Sequence, residues 1–68
     1  MPMTFSEHLL QLRTARDLSQ KALAAEIGIS WRTYQNYELG LREPSLSTLI
    51  ALADFYDLSL DELVCRER

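Results

Sequence analysis

The sequence predicts an all-α fold of five short helices, and three observations predict it. Thr4, Ser19, Ser30, Ser45 and Ser59 each stand directly before a segment whose apolar residues recur at helical spacing. Gly28, Gly40 and Pro44 fall where such segments should stop, since glycine takes up the left-handed backbone just past a helix end and proline disfavours helix in the residue before it. No segment reads as a strand. Sixty-eight residues make one small domain, 1–68, without repeats, low-complexity tracts or a linker. A chain this short buries only roughly 60% of its unfolded surface, so its core has little to spare.

The first helix opens at Thr4, where T-F-S-E matches a capping box in which Glu7 reaches back to the cap. Phe5, Leu9 and Leu12 make its core face, and Arg13 sits beside that face. Ser19 caps the second helix, which places Leu23, Ala24 and Ile27 on one side; Ala24 is small enough for a neighbouring helix to approach closely. Ser30 caps the third, where Tyr34 and Tyr37 supply the apolar face and Gly40 closes the helix. Ser45 opens a fourth helix through Leu46, Leu49, Ile50, Ala53 and Tyr56. After a short turn at Asp57, Leu58 and Ser59, a second capping box, S-L-D-E, opens a last helix with Leu60, Leu63 and Val64. Leu10, Leu39, Leu41, Ile50, Phe55 and Val64 exceed what one narrow core stripe needs, so some of them must lie near the surface.

Catalysis finds no cluster of residues to stand on, so an enzyme is not expected. His8, the only histidine, falls on the polar side of the first helix and reads as solvated; Cys65, the only cysteine, reads as inert. One cysteine excludes an internal disulfide, and no cysteine and histidine set exists to hold a structural zinc, so no metal or cofactor is expected. No apolar run approaches the roughly 20 residues that span a bilayer, and MPMTFSEHLL lacks the features of a signal peptide. These features together read as cytoplasmic.

The net charge of −3 is unevenly spread. Residues 1–34 carry Arg13, Arg16, Lys21 and Arg32 against Glu7, Asp17 and Glu26, whereas residues 35–68 carry seven acids against Arg42, Arg66 and Arg68. One face can therefore be basic while the far face is acidic.

Within this framework Ser19 to Gly40 reads as two short helices joined by a tight turn. Arg13, Leu18-Ser19-Gln20, Leu23-Ala24, Gly28-Ile29-Ser30, Tyr34, Tyr37-Glu38, Gly40, Arg42, Pro44-Ser45, Leu49, Ala53, Leu58 and Leu63 stand in register with a known pattern. The chain resembles the lambda-repressor/Cro-like helix-turn-helix family of DNA-binding domains, the XRE-type transcriptional regulators, from about Phe5 to Val64. The resemblance implies a compact five-helix lambda-repressor-like DNA-binding domain whose helix-turn-helix core is 19–40. It implies a sequence-specific ligand of double-stranded DNA, a transcriptional regulator acting as a repressor, in a prokaryotic or phage setting. A homodimer formed through the last helices and the loop before them would occupy a pseudo-palindromic operator.

By the family's register, Trp31, Arg32 and Asn36 fall at base-reading positions, with Thr33 a further candidate. Arg32 suits guanine O6 and N7, and Asn36 suits adenine N6 and N7. Trp31 stands where the family usually has a small or polar residue; contact with a thymine methyl or a sugar, packing on Gln35, and contact with a protein are the readings open to it. Gln20 and Ser30 match positions that bond phosphate oxygens, and both lie at helix N-termini, where free amides and the helix dipole favour an anion. Lys21, Arg42 and Arg16 are the cations available beside them. Leu41 stands where a basic residue is usual, which removes one phosphate contact. The resemblance also implies an ion pair between Arg13 and Glu38. The alternative function is a protein-interaction module, such as an antitoxin-like partner, using Trp31, Tyr37, Leu39 and Leu41.

Overall fold

In the computed structural model, which describes residues 3–64, five helices follow one another: α1 Phe5–Ala15, α2 Gln20–Ile27, α3 Trp31–Glu38, α4 Leu46–Tyr56 and α5 Leu60–Leu63. Every one begins on the expected hydroxyl. Thr4, Ser19, Ser30, Ser45 and Ser59 each accept a hydrogen bond from the amide three residues on, and at Thr4 and Ser59 the glutamate three residues on completes the capping box.

The helix ends share one device. Gly28 (φ 79°) and Gly40 (φ 74°) adopt the left-handed conformation just past α2 and α3. The amides that follow them return to the helix, Ile29 to the Ala24 carbonyl and Leu41 to the Asn36 carbonyl, both at 3.0 Å. Asp17 and Asp57, both at φ 57°, do the same for α1 and α4. Aspartate is among the few side chains that accept this backbone at modest cost.

Each helix contributes one side chain with no exposed surface: Leu9, Leu23, Tyr34, Leu52 and Leu63. Ala24, Tyr37, Ala53 and Tyr56 complete the buried core. α3 packs on α1 and α2, α4 packs on α2 and α5, and α5 returns to α1. The fold thus holds α2 and α3 together against a base formed by the other helices.

On α4, Ala53 and Tyr56 are buried and Leu49 packs against the core, as their spacing implies. Leu52 is fully buried, whereas Leu46 and Ile50 lie outside. The run LSTLIALADFY is apolar nearly all round, so spacing alone does not select which side faces the core. Phe55 is not surplus surface: it is half-buried, packs against the core and meets Tyr56 edge-on at 5.1 Å. Arg16 lies over both rings, 5.3 Å and 5.1 Å from their centroids, and donates to the Phe55 carbonyl at 3.3 Å. It is therefore engaged on α4 rather than held for an anion.

His8 is also placed differently from the sequence reading. It is half-buried, and its Nδ1 donates to the Leu63 carbonyl at 2.9 Å, tying α1 to the end of α5. A carbonyl can only accept, so Nδ1 carries the proton. Cys65, Arg66 and Arg68 lie outside the described residues.

Candidate nucleic-acid interface

Two helix N-termini form the surface. Ser19 Oγ accepts from the Ala22 amide at 3.0 Å, which sets Gln20 and Lys21 in the first turn of α2. Ser30 Oγ accepts from the Thr33 amide at 3.1 Å and donates to Thr33 Oγ1 at 2.7 Å, which sets Trp31, Arg32 and Thr33 in the first turn of α3. The contact between α2 and α3 is close because Leu23 and Ala24 are buried on one side and Tyr34 and Tyr37 on the other. Neither first turn holds an acidic residue, unlike those of α1 and α5. The positive ends of both helix dipoles are thus left unneutralised by carboxylates within the helices.

Beneath this surface lies a carboxylate with four donors. Arg13 Nε and Nη2 reach Glu38 Oε2 and Oε1 at 2.6 and 3.1 Å, the Tyr34 hydroxyl donates to Oε2, and Gln20 Nε2 donates to Oε1 at 2.9 Å. Arg13 also donates through Nη1 to the Leu18 carbonyl at 2.7 Å, so one guanidinium ties α1, the turn before α2 and the end of α3. Burial alone would raise the Glu38 carboxyl. The bonds from Arg13, Tyr34 and Gln20 outweigh burial and hold it below its ordinary value. The same pair raises Arg13. Tyr34 is pushed well up by burial and then by its bond to the carboxylate.

Gln20 carries this network to the surface. Its Nε2 faces Glu38, and its Oε1 accepts the Trp31 indole N–H at 3.1 Å. The Lys21 ammonium lies 4.8 Å from the centroid of the same indole. The Trp31 indole is therefore turned back toward α2. Helical periodicity cannot reveal such a link, because it depends on how α2 and α3 cross; the one available signal is that Gln20 and Trp31 each open their helix.

The structure brings Gln20, Lys21, Ser30, Trp31 and Thr33 into one connected surface. Arg32 is exposed, and Asn36 is half-buried one turn further along α3. Neither side chain has a hydrogen bond or ion pair among the described residues. Arg42 is exposed beyond α3, separated from this surface in sequence by Leu39 and Leu41, which are 62% and 71% exposed. Among the described residues no group of histidine, cysteine, aspartate and glutamate is arranged to hold a metal ion.

Comparison with known proteins gives this geometry a family. A helix-turn-helix family model matches residues 9–63. The uncharacterised HTH-type transcriptional regulator YqaE of Bacillus subtilis is 43% identical over 60 residues, covering 88% of this chain and 52% of the relative. The cryptic phage CTXphi transcriptional repressor RstR of Vibrio cholerae is also 43% identical over 60 residues, covering 88% of this chain and 54% of its own length. The chain thus spans about half the length of these curated relatives. Among solved structures, a transcriptional regulator from Listeria innocua superposes with a TM-score of 0.90 at 31% identity, covering 100% of this chain and 64% of that one. The DNA-binding domain of the P22 C2 repressor shares the fold, with a TM-score of 0.86 at 24% identity over 97% of this chain and 87% of its own. The paired helices α2 and α3, the Arg13–Glu38 anchor beneath them and the match over residues 9–63 make the chain a member of the helix-turn-helix family of lambda-repressor/Cro-like type.

Proposed function

We propose that the chain binds double-stranded DNA sequence-specifically and regulates transcription, acting as a repressor that blocks polymerase by occupying its operator. The observation that carries this reading is the first turn of α3, which exposes Trp31 and Arg32 beside a half-buried Thr33, with no acid among them. A helix enters the major groove, and its N-terminal residues approach the base edges. Arg32 and Asn36 supply hydrogen bonds to bases, Thr33 offers its methyl and hydroxyl, and Gln20, Lys21 and Arg42 contact phosphates, joined by Ser30 once its hydroxyl turns from Thr33 Oγ1 toward the phosphate oxygen. The naming of relatives as transcriptional regulators and as a phage repressor supports the same role. Such a role places the protein with its DNA in the cytoplasm.

The active form is a homodimer on a pseudo-palindrome with half-sites about one helical turn apart. Leu39, Leu41, Leu46 and Ile50, all exposed, lie along the connection from α3 to α4 and on α4, and supply the apolar surface that a second copy would cover. The same leucines support the other reading, a docking face for a different protein.

Selection from a random duplex library tests the proposal. It predicts enrichment of a two-fold symmetric motif, and Arg32→Ala should relax preference at one base pair by about 1–3 kcal/mol. A folded protein that enriches nothing, and that co-purifies with a stoichiometric protein partner, would favour the docking reading. Sedimentation over a concentration series tests the dimer; a monomer at high concentration both with and without operator would contradict it.

A further inference from the structure

The first turn of α3 carries a tryptophan whose only polar atom is already committed. The indole Nε1 can donate one hydrogen bond and accept none. It donates to Gln20 Oε1 at 3.1 Å. Gln20 is itself held, because its Nε2 donates to Glu38 Oε1 at 2.9 Å and Glu38 is held by Arg13 and Tyr34. The Lys21 ammonium lies over the ring at 4.8 Å. What the Trp31 side chain still offers to an incoming ligand is apolar, since the residue remains 44% exposed and the indole has no further hydrogen-bonding atom.

Base edges in the major groove present hydrogen-bond donors and acceptors with one apolar exception, the C5-methyl group of thymine. Methylation of cytosine puts the same group at the same ring position. We propose that Trp31 is a specificity-determining residue that reads a pyrimidine C5-methyl group by apolar contact, with Gln20 and Glu38 acting as the positioning residues that hold the indole for it. The proposal rests on the DNA-binding reading above and adds which chemical group of the base pair the first residue of α3 selects. A hydrogen-bonding side chain at this position would instead select a donor and acceptor pattern.

The test uses the site enriched from the random library, resynthesised with each thymine in turn replaced by deoxyuridine. That change removes one methyl group and leaves every hydrogen-bonding atom in place. Wild type, Trp31→Ala and Trp31→Phe are titrated by fluorescence anisotropy at a single salt concentration, after circular dichroism has confirmed that each is folded. Burial of one methyl group corresponds to a change in Kd of about three- to tenfold. At one position per half-site, wild type should lose affinity by that factor and Trp31→Ala should lose none, while Trp31→Phe keeps a smaller penalty. Replacing that thymine by 5-methylcytosine should be better tolerated by wild type than replacing it by cytosine. Equal losses in wild type and Trp31→Ala, or no loss at any thymine, would overturn the proposal and leave sugar or protein contact as the role of the indole. Failure of the library to enrich any site is a different result: it overturns the DNA-binding reading on which this one rests.

Discussion

Arg13 on α1 and Glu38 at the end of α3 meet along two hydrogen bonds, 2.6 and 3.1 Å long, with only 13% and 6% of the two side chains exposed. A pair this sheltered matters chiefly through what happens when one partner is lost, because the remaining charge is then buried without compensation. Arg13→Ala should lower unfolding free energy by about 3 kcal/mol, the low end for such losses because Tyr34 and Gln20 still hold the carboxylate. Urea denaturation reads the value directly. A loss below about 0.5 kcal/mol would mean that the pair behaves as an exposed one.

The depressed Glu38 carboxyl fixes the sign of the acid response. A folded-state value below the unfolded one contributes stability that is present above the unfolded value, about 4.5, and is lost as pH falls through the folded value. Glu7 and Glu62 are lowered by their capping-box bonds to Thr4 and Ser59 and add in the same direction. Thermal melts from pH 6 down to about pH 2 should therefore show falling stability, with a shallower slope in Glu38→Gln. Identical slopes for the two proteins would remove Glu38 from the account.

Two buried tyrosines should respond oppositely to loss of their hydroxyl. The Tyr34 hydroxyl donates to Glu38, so Tyr34→Phe should cost about 1–2 kcal/mol. The Tyr56 hydroxyl is buried with no hydrogen-bond partner among the described residues, so Tyr56→Phe should be neutral or stabilising by up to about 1 kcal/mol. Burial also pushes the Tyr56 hydroxyl up to about 12. A raised folded-state value contributes stability that is intact below the unfolded value of 10 and is lost as pH rises toward 12, so Tyr56→Phe should also soften the alkaline loss. Equal destabilisation by both variants would contradict the assignment.

Gly28 separates backbone conformation from crowding. A Cβ added there would meet nothing within 4 Å, yet φ is +79°. Gly28→Ala should cost about 1–2 kcal/mol through conformation alone, and Gly28→Asn distinctly less. Calorimetric melts of the two variants would show it, and equal melting temperatures would count against the left-handed turn between α2 and α3.

Much of the fold was legible because it is written in local chemistry. A serine or threonine before each helix competes for an amide three residues away, and Gly28 and Gly40 mark left-handed turns that most residues avoid. The left-handed Asp17 and Asp57 were less legible, since aspartate appears in many contexts besides this one. On α4 the core positions Ala53 and Tyr56 were legible, whereas Leu52 was missed and Leu46 lies outside, because apolar residues surround the helix. The positions of Arg32 and Asn36 on α3 followed from register. Contacts between elements did not follow from it: His8 meets a carbonyl 55 residues away, Arg16 lies on the rings of α4, and the Trp31 indole turns to Gln20. Those links depend on helix crossing angles, which no local pattern encodes.

The central claim is that the first turns of α2 and α3 form the DNA-binding surface. Its most direct test is a two-dimensional nitrogen-15 NMR titration of the protein with its selected duplex, alongside the Arg32→Ala, Asn36→Ala double variant. The account predicts the largest shifts at the amides of residues 20–22 and 30–36 and at the Trp31 indole N–H, with the variant losing them at matched concentrations. Duplex-induced shifts confined to the exposed leucines between Leu39 and Ile50, with α3 unmoved, would contradict it.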